Sequence, residues 1–407
     1  MRLILGFYLG LLAALTSLAV LGGVLLLSET GPDTAVEDAA DDHGYDFVLW
    51  EVENFPRRWI YKVHNLFESR SDETDEATVQ RYFELTREIA GLQGEAAAQE
   101  LADARKDRDA IEGDVEDILE GRMTAILDDE GLALEPPLFN DLGLIFPPVD
   151  FELDAPPRVL AVSPRDRIAL VDSYLLEPGL RREQFGGIEE KAESENEATD
   201  GVSALVVGTG GVATYPSVLS ADDSYEELMD TAFHEWLHHY LAFFPLGSSY
   251  FKGGEVKTLN ESVASIGGRE LAAAYFERYG GSDVPAPQTS PAPAPSVEPV
   301  FDFTEEMRTL RREVEALLAG GKVAEAEALM ETRRELFVEN GYLVRRINQA
   351  YFAFNGFYAF SAGSIDPIGP KLQELFEREG SPGAFLRVVR GITSRTELDQ
   401  AVASASG

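Results

Sequence analysis

Cysteine is absent from the sequence, which excludes a disulfide framework and any thiolate metal site. A metal ion in this protein would therefore need histidine, aspartate or glutamate ligands. Histidine itself is scarce, with five residues in 407, and lysine occurs at only seven positions. Arginine thus supplies most of the positive charge.

Acidic residues outnumber basic residues about two to one. The chain has 72 acidic and 34 basic residues, which gives a formal net charge of -38. Such a negative field repels phosphate backbones, so we expect no nucleic-acid partner. The hydrophobic fraction of 44% is normal for a folded protein, and the length allows a membrane anchor and two or three packed units.

The N-terminus carries a long apolar run without charge, from Leu3 to Leu27. As a helix it would extend roughly 37 Å, more than the ~30 Å hydrocarbon core of a bilayer. A cleaved signal peptide is the alternative, but its apolar region is usually ~7–15 residues long. Arg2 precedes the run and acidic residues from Glu29 onward follow it. The positive-inside rule then predicts a single-pass anchor in the cytoplasmic membrane, with the rest of the chain outside.

Composition changes along the remaining chain predict a mostly helical α+β fold with a small sheet. Residues 76–128 are rich in helix formers, whereas 145–220 contain short β-branched or apolar runs. Six prolines in 284–300 predict an extended loop, and a helical hairpin broken at Gly320-Gly321 follows it. The runs that predict strands are Val149–Leu153, Val159–Ser163, Ile168–Leu176 and Ala204–Gly208.

The most informative motif is His234-Glu235-x-x-His238. On a helix, positions i and i+4 lie on one face, so the two imidazoles can converge on one metal ion. Glu235 projects next to them and can act as general base toward a metal-activated water. The alternative is a pair of helical histidines that make only hydrogen bonds.

The sequence also predicts where this helix begins and ends. Ser224-x-x-Glu227 is a capping-box pattern, and Phe244-Pro245 marks the expected end. The motif therefore lies inside the helix, where both imidazoles are held on one face.

A hydrolytic zinc site needs a third protein ligand and one open position. The best candidate is Glu261 in Asn260-Glu261-x-x-Ala264, 23 positions beyond His238. A competing interpretation exists, because Thr258-x-x-Glu261 is also a capping-box pattern in which Glu261 would only satisfy the backbone at a helix start.

Other acidic and imidazole groups nearby are weaker candidates. Glu255 and Glu270 could replace Glu261 as the third ligand. His239 lies about 100° around the helix from His238, so it cannot share the ligand face. A purely structural zinc would need a fourth protein ligand, and His239 is badly placed to provide it.

The two motifs together resemble the gluzincin class of zinc metallopeptidases. In that class a histidine pair and a glutamate from a second helix hold Zn²⁺. The resemblance implies that His234, His238 and Glu261 bind zinc and that Glu235 is the general base. Residues 225–390 are also similar to a bacterial family of zinc aminopeptidases. In addition, the two motifs resemble those of membrane-anchored bacterial proteins that carry H-E-W-x-H and N-E-x-x-A strings.

This resemblance implies a zincin-like core and a membrane-anchored peptidase that acts on peptide or protein substrates. The alternative is a non-catalytic, zincin-like binding or envelope scaffold protein. The expected segments are a transmembrane anchor (1–29), an extracytoplasmic helical region (30–144), the zincin core with a small sheet (145–283), a Pro-rich loop (284–300) and a C-terminal helical subdomain (301–407).

Two further segments are candidates for the substrate cleft. Asn348, Tyr351, Asn355 and Tyr358 form a polar stripe if one helix spans them, and a tyrosine there could stabilise an oxyanion. Internally paired amides among buried aromatics are the alternative. The glycine-rich stretch 208–216 precedes the motif helix, where an edge strand of a zincin pairs with the substrate backbone.

Overall fold

The structure is a computed structural model that describes residues 35–45, 72–92, 97–132, 147–194, 201–250, 254–281 and 301–403. The anchor predicted for residues 1–29 and the loop predicted for 284–300 lie outside these ranges. Within them, no helix combines the length and the apolar character that a membrane crossing requires.

Helices dominate the described residues, and short strands lie between residues 151 and 220. The helices are α1 (Ala35–Asp41), α2 (Asp72–Gly91), α3 (Ala98–Asp109), α4 (Glu112–Asp129), α5 (Arg182–Ala192), α6 (Tyr225–Leu241), α7 (Pro245–Ser248), α8 (Gly254–Tyr279), α9 (Phe303–Ala319), α10 (Val323–Glu339), α11 (Gln349–Asn355), α12 (Ile368–Glu379), α13 (Pro382–Val389) and α14 (Arg395–Ala403). The strands are β1 (Phe151–Asp154), β2 (Arg158–Pro164), β3 (Asp172–Leu176), β4 (Val202–Gly208), β5 (Gly211–Val212) and β6 (Ser217–Ser220).

The strands form two small sheets. In the first, the order is β1-β6-β5, with β1 parallel and β5 antiparallel to β6. In the second, the order is β3-β2-β4, and all neighbours are antiparallel. β5 thus lies at an edge of the first sheet.

Strand β2 is apolar from Val159 to Val162 because helices cover both faces of its sheet. Leu160 and Val162 pack with Phe185 of α5, whereas Ala161, on the opposite face, packs with Ala350 of α11. Alternate side chains of a strand point to opposite faces, so a doubly covered strand needs apolar residues at every position.

One hydrophobic core joins the helices on either side of the candidate site. It includes Tyr82 of α2, Leu119 of α4, Phe233 of α6, Val263 of α8 and Phe385 of α13. Each of these side chains is almost completely buried, and such burial stabilises the fold by about 1.5–3 kcal/mol per large apolar residue. Helices α6 and α8 therefore lie in the interior of the protein.

Two adjacent glycines of α8 allow it to approach α6 closely. A Cβ atom on Gly268 would lie 3.0 Å from the carbonyl oxygen of Asp230 and 3.0 Å from the amide nitrogen of His234. A Cβ atom on Gly267 would lie 2.7 Å from Cδ1 of Leu237. Because backbone atoms of a packed helix have little room to move, larger residues here would separate the two helices.

The structure confirms a mostly helical α+β fold, and the predicted helical hairpin is α9 and α10, joined at Gly320 and Gly321. The four predicted strand runs overlap β1 to β4. The sheet predicted from these runs comprises β2, β3 and β4, whereas β1 pairs with β6 in a second small sheet that also contains β5. These strands of two and four residues are too short for a visible alternation of apolar and polar residues.

We expect Gly268→Val to destabilise the protein and to weaken metal binding, because the added methyl groups meet the backbone of α6. Overpacking of this kind costs about 1–3 kcal/mol. The control is Gly121→Val in α4, where a Cβ atom meets nothing within 4 Å. Chemical denaturation measures the free energy of unfolding of both variants. Equal stability of the two variants would contradict the close approach of α6 and α8.

Candidate metal centre

Helix α6 begins where the sequence predicts. The Ser224 hydroxyl accepts a hydrogen bond from the Glu227 amide at 3.3 Å, and the Glu227 carboxylate accepts one from the Ser224 amide at 3.1 Å. The helix ends at Leu241, just before the predicted end, and the single turn of α7 begins at Pro245. The His-Glu-x-x-His motif therefore lies inside a capped helix.

The structure brings His234, His238 and Glu261 together as a group that can hold a metal ion. The two imidazole Nε2 atoms are 3.1 Å apart, and Oε2 of Glu261 is 3.5 Å from each of them. Four donors at zinc–nitrogen distances of ~2.0–2.1 Å in a tetrahedron are about 3.3–3.4 Å apart. The three donor atoms therefore have the spacing that a tetrahedral ion requires.

Glu261 is not a helix cap. Helix α8 already includes Gly254, whose carbonyl oxygen accepts a hydrogen bond from the Thr258 hydroxyl at 2.9 Å. Glu261 therefore lies in the second turn or later, and its carboxylate, with the residue only 6% exposed, faces the two histidines of α6. The capping-box interpretation of Thr258-x-x-Glu261 is thus wrong.

The weaker candidates for the third ligand lie elsewhere. Glu255 accepts a hydrogen bond from the backbone amide of Arg395 at 2.6 Å, and Glu270 pairs with Arg269 at 3.0 Å. Neither belongs to the group of converging donors found in the described ranges, where the third member is Glu261.

Asn260 holds the ring of His238 in place. Its Oδ1 atom lies 2.8 Å from Nδ1 of His238. An amide oxygen only accepts hydrogen bonds, so Nδ1 of His238 must carry a proton, and Nε2 is the ring nitrogen left to face a metal ion. Metal-binding histidines are commonly oriented in this way by a hydrogen bond to the other ring nitrogen. The Asn-Glu pair of α8 therefore supplies both a candidate metal donor and the group that orients another.

Glu261 and His238 each stabilise the charged form of the other. Burial by itself would raise the pKa of Glu261, but the charge of His238 and hydrogen bonds from both imidazoles hold that pKa well below its usual range. Burial also opposes the charged form of His238, yet the neighbouring Glu261 raises its pKa to about 9. The carboxylate is thus ionised, and the site attracts positive charge between the two helices.

Glu235 differs from Glu261 although both are buried. Burial raises the pKa of Glu235, and the charges of His234 and His238 only partly oppose that effect. Its Cγ atom would lie 3.0 Å from a Cβ atom on Gly211, so edge strand β5 lies directly against it. Glu235 therefore combines a raised pKa with a position against the sheet edge.

A tyrosine that we did not identify in the sequence completes the surroundings. The Tyr250 hydroxyl donates a hydrogen bond to Oε1 of Glu261 at 2.6 Å, and its ring lies 6.2 Å from the ring of His238. Tyr250 comes just after α7, outside any periodic pattern, and its contact with Glu261 depends on how the chain returns into α8. No local signal in the sequence could have found it.

The predicted polar stripe is wrong as a single helical face, because α11 ends at Asn355. Asn348 caps this helix by accepting a hydrogen bond from the Tyr351 amide, and Asn355 donates one to the Tyr351 carbonyl. Tyr358 lies beyond the helix, with its ring 6.3 Å from the ring of His234. The side-chain amides of Asn348 and Asn355 therefore have structural roles. Of the four predicted residues, Tyr358 is the one that lies next to His234.

His239 lies off the ligand face, as the helical geometry predicts. Its ring packs edge-on against the ring of Tyr215 at 5.6 Å. Burial, and then the charge of His238, lower its pKa to about 4, so it is neutral at physiological pH.

Comparisons of the chain with protein-family models, with curated proteins and with solved structures found no match. The function is therefore inferred from the site itself.

We expect the purified protein to bind about one zinc ion per chain, and His234→Ala or His238→Ala to abolish this binding, because each removes one of three donors. Glu261→Gln should weaken it strongly, since a neutral amide is a poor replacement for a carboxylate. Metal analysis and chelator competition measure both effects. Glu255→Gln and Glu270→Gln are matched controls that should keep the metal. Full occupancy in either histidine variant would refute the site.

Proposed function

We propose that the protein is a zinc-dependent peptidase of the gluzincin type. One observation carries this proposal: Glu235, a buried carboxylate with a raised pKa, lies beside three converging donors without being one of them. A structural metal site has no use for such a group, whereas hydrolysis requires a base next to the metal.

The residues fit zinc better than calcium or magnesium. Two imidazoles and one carboxylate are a donor set typical of catalytic zinc, while hard cations prefer oxygen ligands alone. Three protein donors also leave one position for water or substrate. A zinc ion bound there would polarise the scissile carbonyl and lower the pKa of a water molecule to ~7.

Glu235 moves the proton in this proposal. Its carboxylate accepts a proton from the attacking water as the oxygen bonds to the carbonyl carbon of the peptide. It then donates that proton to the amide nitrogen as the C–N bond breaks. Atoms and charge balance over the cycle, and Glu235 is regenerated. The raised pKa of Glu235 favours the protonated form from which the second step proceeds.

Two further elements support a peptide substrate. Edge strand β5 offers backbone groups next to Glu235 for pairing with an extended peptide, the role that the glycine-rich stretch suggested. Tyr358 keeps its proton, because burial and then the charges of Glu261 and Glu235 raise its pKa well above the usual value. We propose that its hydroxyl donates to the carbonyl oxygen of the scissile bond.

We also propose that this peptidase is held at the outer face of the cytoplasmic membrane. Residues 1–29 supply the anchor in this proposal, on the basis of the apolar run and of the arginine that precedes it. The substrates would then be peptides or proteins outside the cytoplasm.

The test of the peptidase is Glu235→Gln. We expect this variant to keep its zinc and its fold but to lose about 10²–10⁴-fold in the rate of peptide hydrolysis, since only the proton acceptor is removed. Glu226→Gln is the control on the same helix, about 13 Å away along the axis. A library of quenched fluorescent peptides, incubated with the zinc-loaded full-length chain, reports the rate.

Two outcomes would count against this function. Equal hydrolysis by the parent protein and by Glu235→Gln would exclude Glu235 as the base. A zinc-loaded parent that binds peptides of the library but hydrolyses none would support the alternative, a non-catalytic binding or scaffold protein.

A further inference from the structure

Lys257 is a basic side chain next to the candidate metal centre. It precedes Glu261 by four residues on α8, so both lie on the same face of the helix. The ammonium nitrogen is 4.8 Å from the ring centroid of Phe357 and 5.6 Å from that of Tyr250. Tyr250 in turn donates its hydrogen bond to Glu261. One aromatic ring thus separates the ammonium group from the third donor.

The surroundings of Lys257 differ from those of Lys191, Lys322 and Lys371. Lys191, Lys322 and Lys371 each form an ion pair with an aspartate or glutamate. Within the described ranges, the Lys257 ammonium forms neither an ion pair nor a hydrogen bond, although acidic residues outnumber basic ones two to one. Its charge is met by two aromatic rings instead.

The Lys257 side chain is partly removed from water. Lys257 is partly buried, and burial lowers its pKa, with the nearby Glu261 opposing that change. Cation–π contacts with Phe357 and Tyr250 offset only part of the lost hydration. A desolvated ammonium group with donors to spare can form a strong ion pair with any carboxylate that enters the site.

The protein around the centre is strongly acidic. Glu235 and Glu261 lie within the centre, and the whole chain carries a net charge of -38. Lys257 supplies a local positive charge beside the aromatic rings of Phe357 and Tyr250. A positive charge next to apolar rings suits an amino-acid residue that bears a carboxylate.

We propose that Lys257 binds a carboxylate of the peptide substrate beside the scissile bond. This inference rests on the proposed peptidase function. The carboxylate is either the C-terminal group of the peptide or the side chain of an aspartate or glutamate. Lys257 is in this role a specificity-determining residue, and Phe357 and Tyr250 hold its side chain in the binding position.

Peptide binding to the zinc-loaded Glu235→Gln chain tests the proposal without turnover. Fluorescence anisotropy compares a labelled peptide that has a free C-terminus with its C-terminal amide. It also compares amidated peptides that carry glutamate or glutamine at successive positions. In one of these pairs, we expect the peptide with the carboxylate to bind at least about tenfold more tightly than the neutral peptide. A difference of this size is typical of a charged hydrogen bond. The pair that discriminates identifies the source of the carboxylate.

Substitution of Lys257 then decides the role of its charge. Lys257→Met in the Glu235→Gln chain should abolish the discrimination and leave the affinity for the neutral peptide within about twofold. Lys257→Arg should retain part of the preference, and the exposed Lys322→Met should retain all of it. Zinc content and circular dichroism verify that each variant is folded, and Lys257→Gln replaces Lys257→Met if the latter is not.

The proposal is overturned if no peptide pair discriminates, or if the preference survives in Lys257→Met and Lys257→Gln. A structural role of Lys257 would change stability or zinc content but not the ratio of the two affinities. Hydrolysis by the parent chain is measured separately. Lysine-dependent discrimination without hydrolysis would therefore refute the peptidase and leave the carboxylate site standing.

Discussion

The candidate site depends on the close approach of α6 and α8. The two histidines come from one helix and the glutamate from the other, so no single element can assemble the three donors. Gly267 and Gly268 remove the side chains that would hold the helices apart, and the surrounding core of α2, α4, α12 and α13 presses them together. The packing of the interior thus sets the spacing of the donor atoms.

The same burial produces the electrostatic difference between the two glutamates. Glu261 faces two imidazoles and stays ionised, whereas Glu235 lies beneath β5 with fewer compensating contacts and has a raised pKa. Two identical side chains, both in the interior, thereby differ in the form that their surroundings favour: the charged form for Glu261 and the protonated form for Glu235. Tyr250, which follows α7, donates a hydrogen bond to the Glu261 carboxylate. Its ring also contacts the ammonium group of Lys257.

Local chemistry explains which parts could be predicted from the sequence. Helix α6 has a capping box and a spacing that places His234 and His238 on one face, so its start and the convergence of the two imidazoles could be predicted without any structure. Glu261 was identified by the resemblance to gluzincins, but the capping interpretation could be excluded only once α8 was seen to include Gly254. The length of α11 was misjudged because a run of aromatic residues continues beyond its last turn.

The remaining features could not be predicted because they depend on contacts between distant segments. Gly268 meets α6 more than thirty positions earlier in the chain, and the contact of β5 with Glu235 depends on the pairing of β5 with β6. Nothing in the sequence around Lys257 distinguishes it from a solvated lysine. Its significance comes from the rings of Phe357 and Tyr250 and from the absence of an acidic partner in the described part of the chain.

The central claim is that α6 and α8 form a mononuclear zinc centre from His234, His238 and Glu261. X-ray absorption at the zinc edge of the purified, full-length protein tests it most directly, because it reports the atoms bound to the ion. We predict about four nitrogen or oxygen neighbours at ~2.0–2.1 Å, with the multiple scattering of two imidazole rings. A spectrum without imidazole scattering, or one with six oxygen neighbours, would contradict the account.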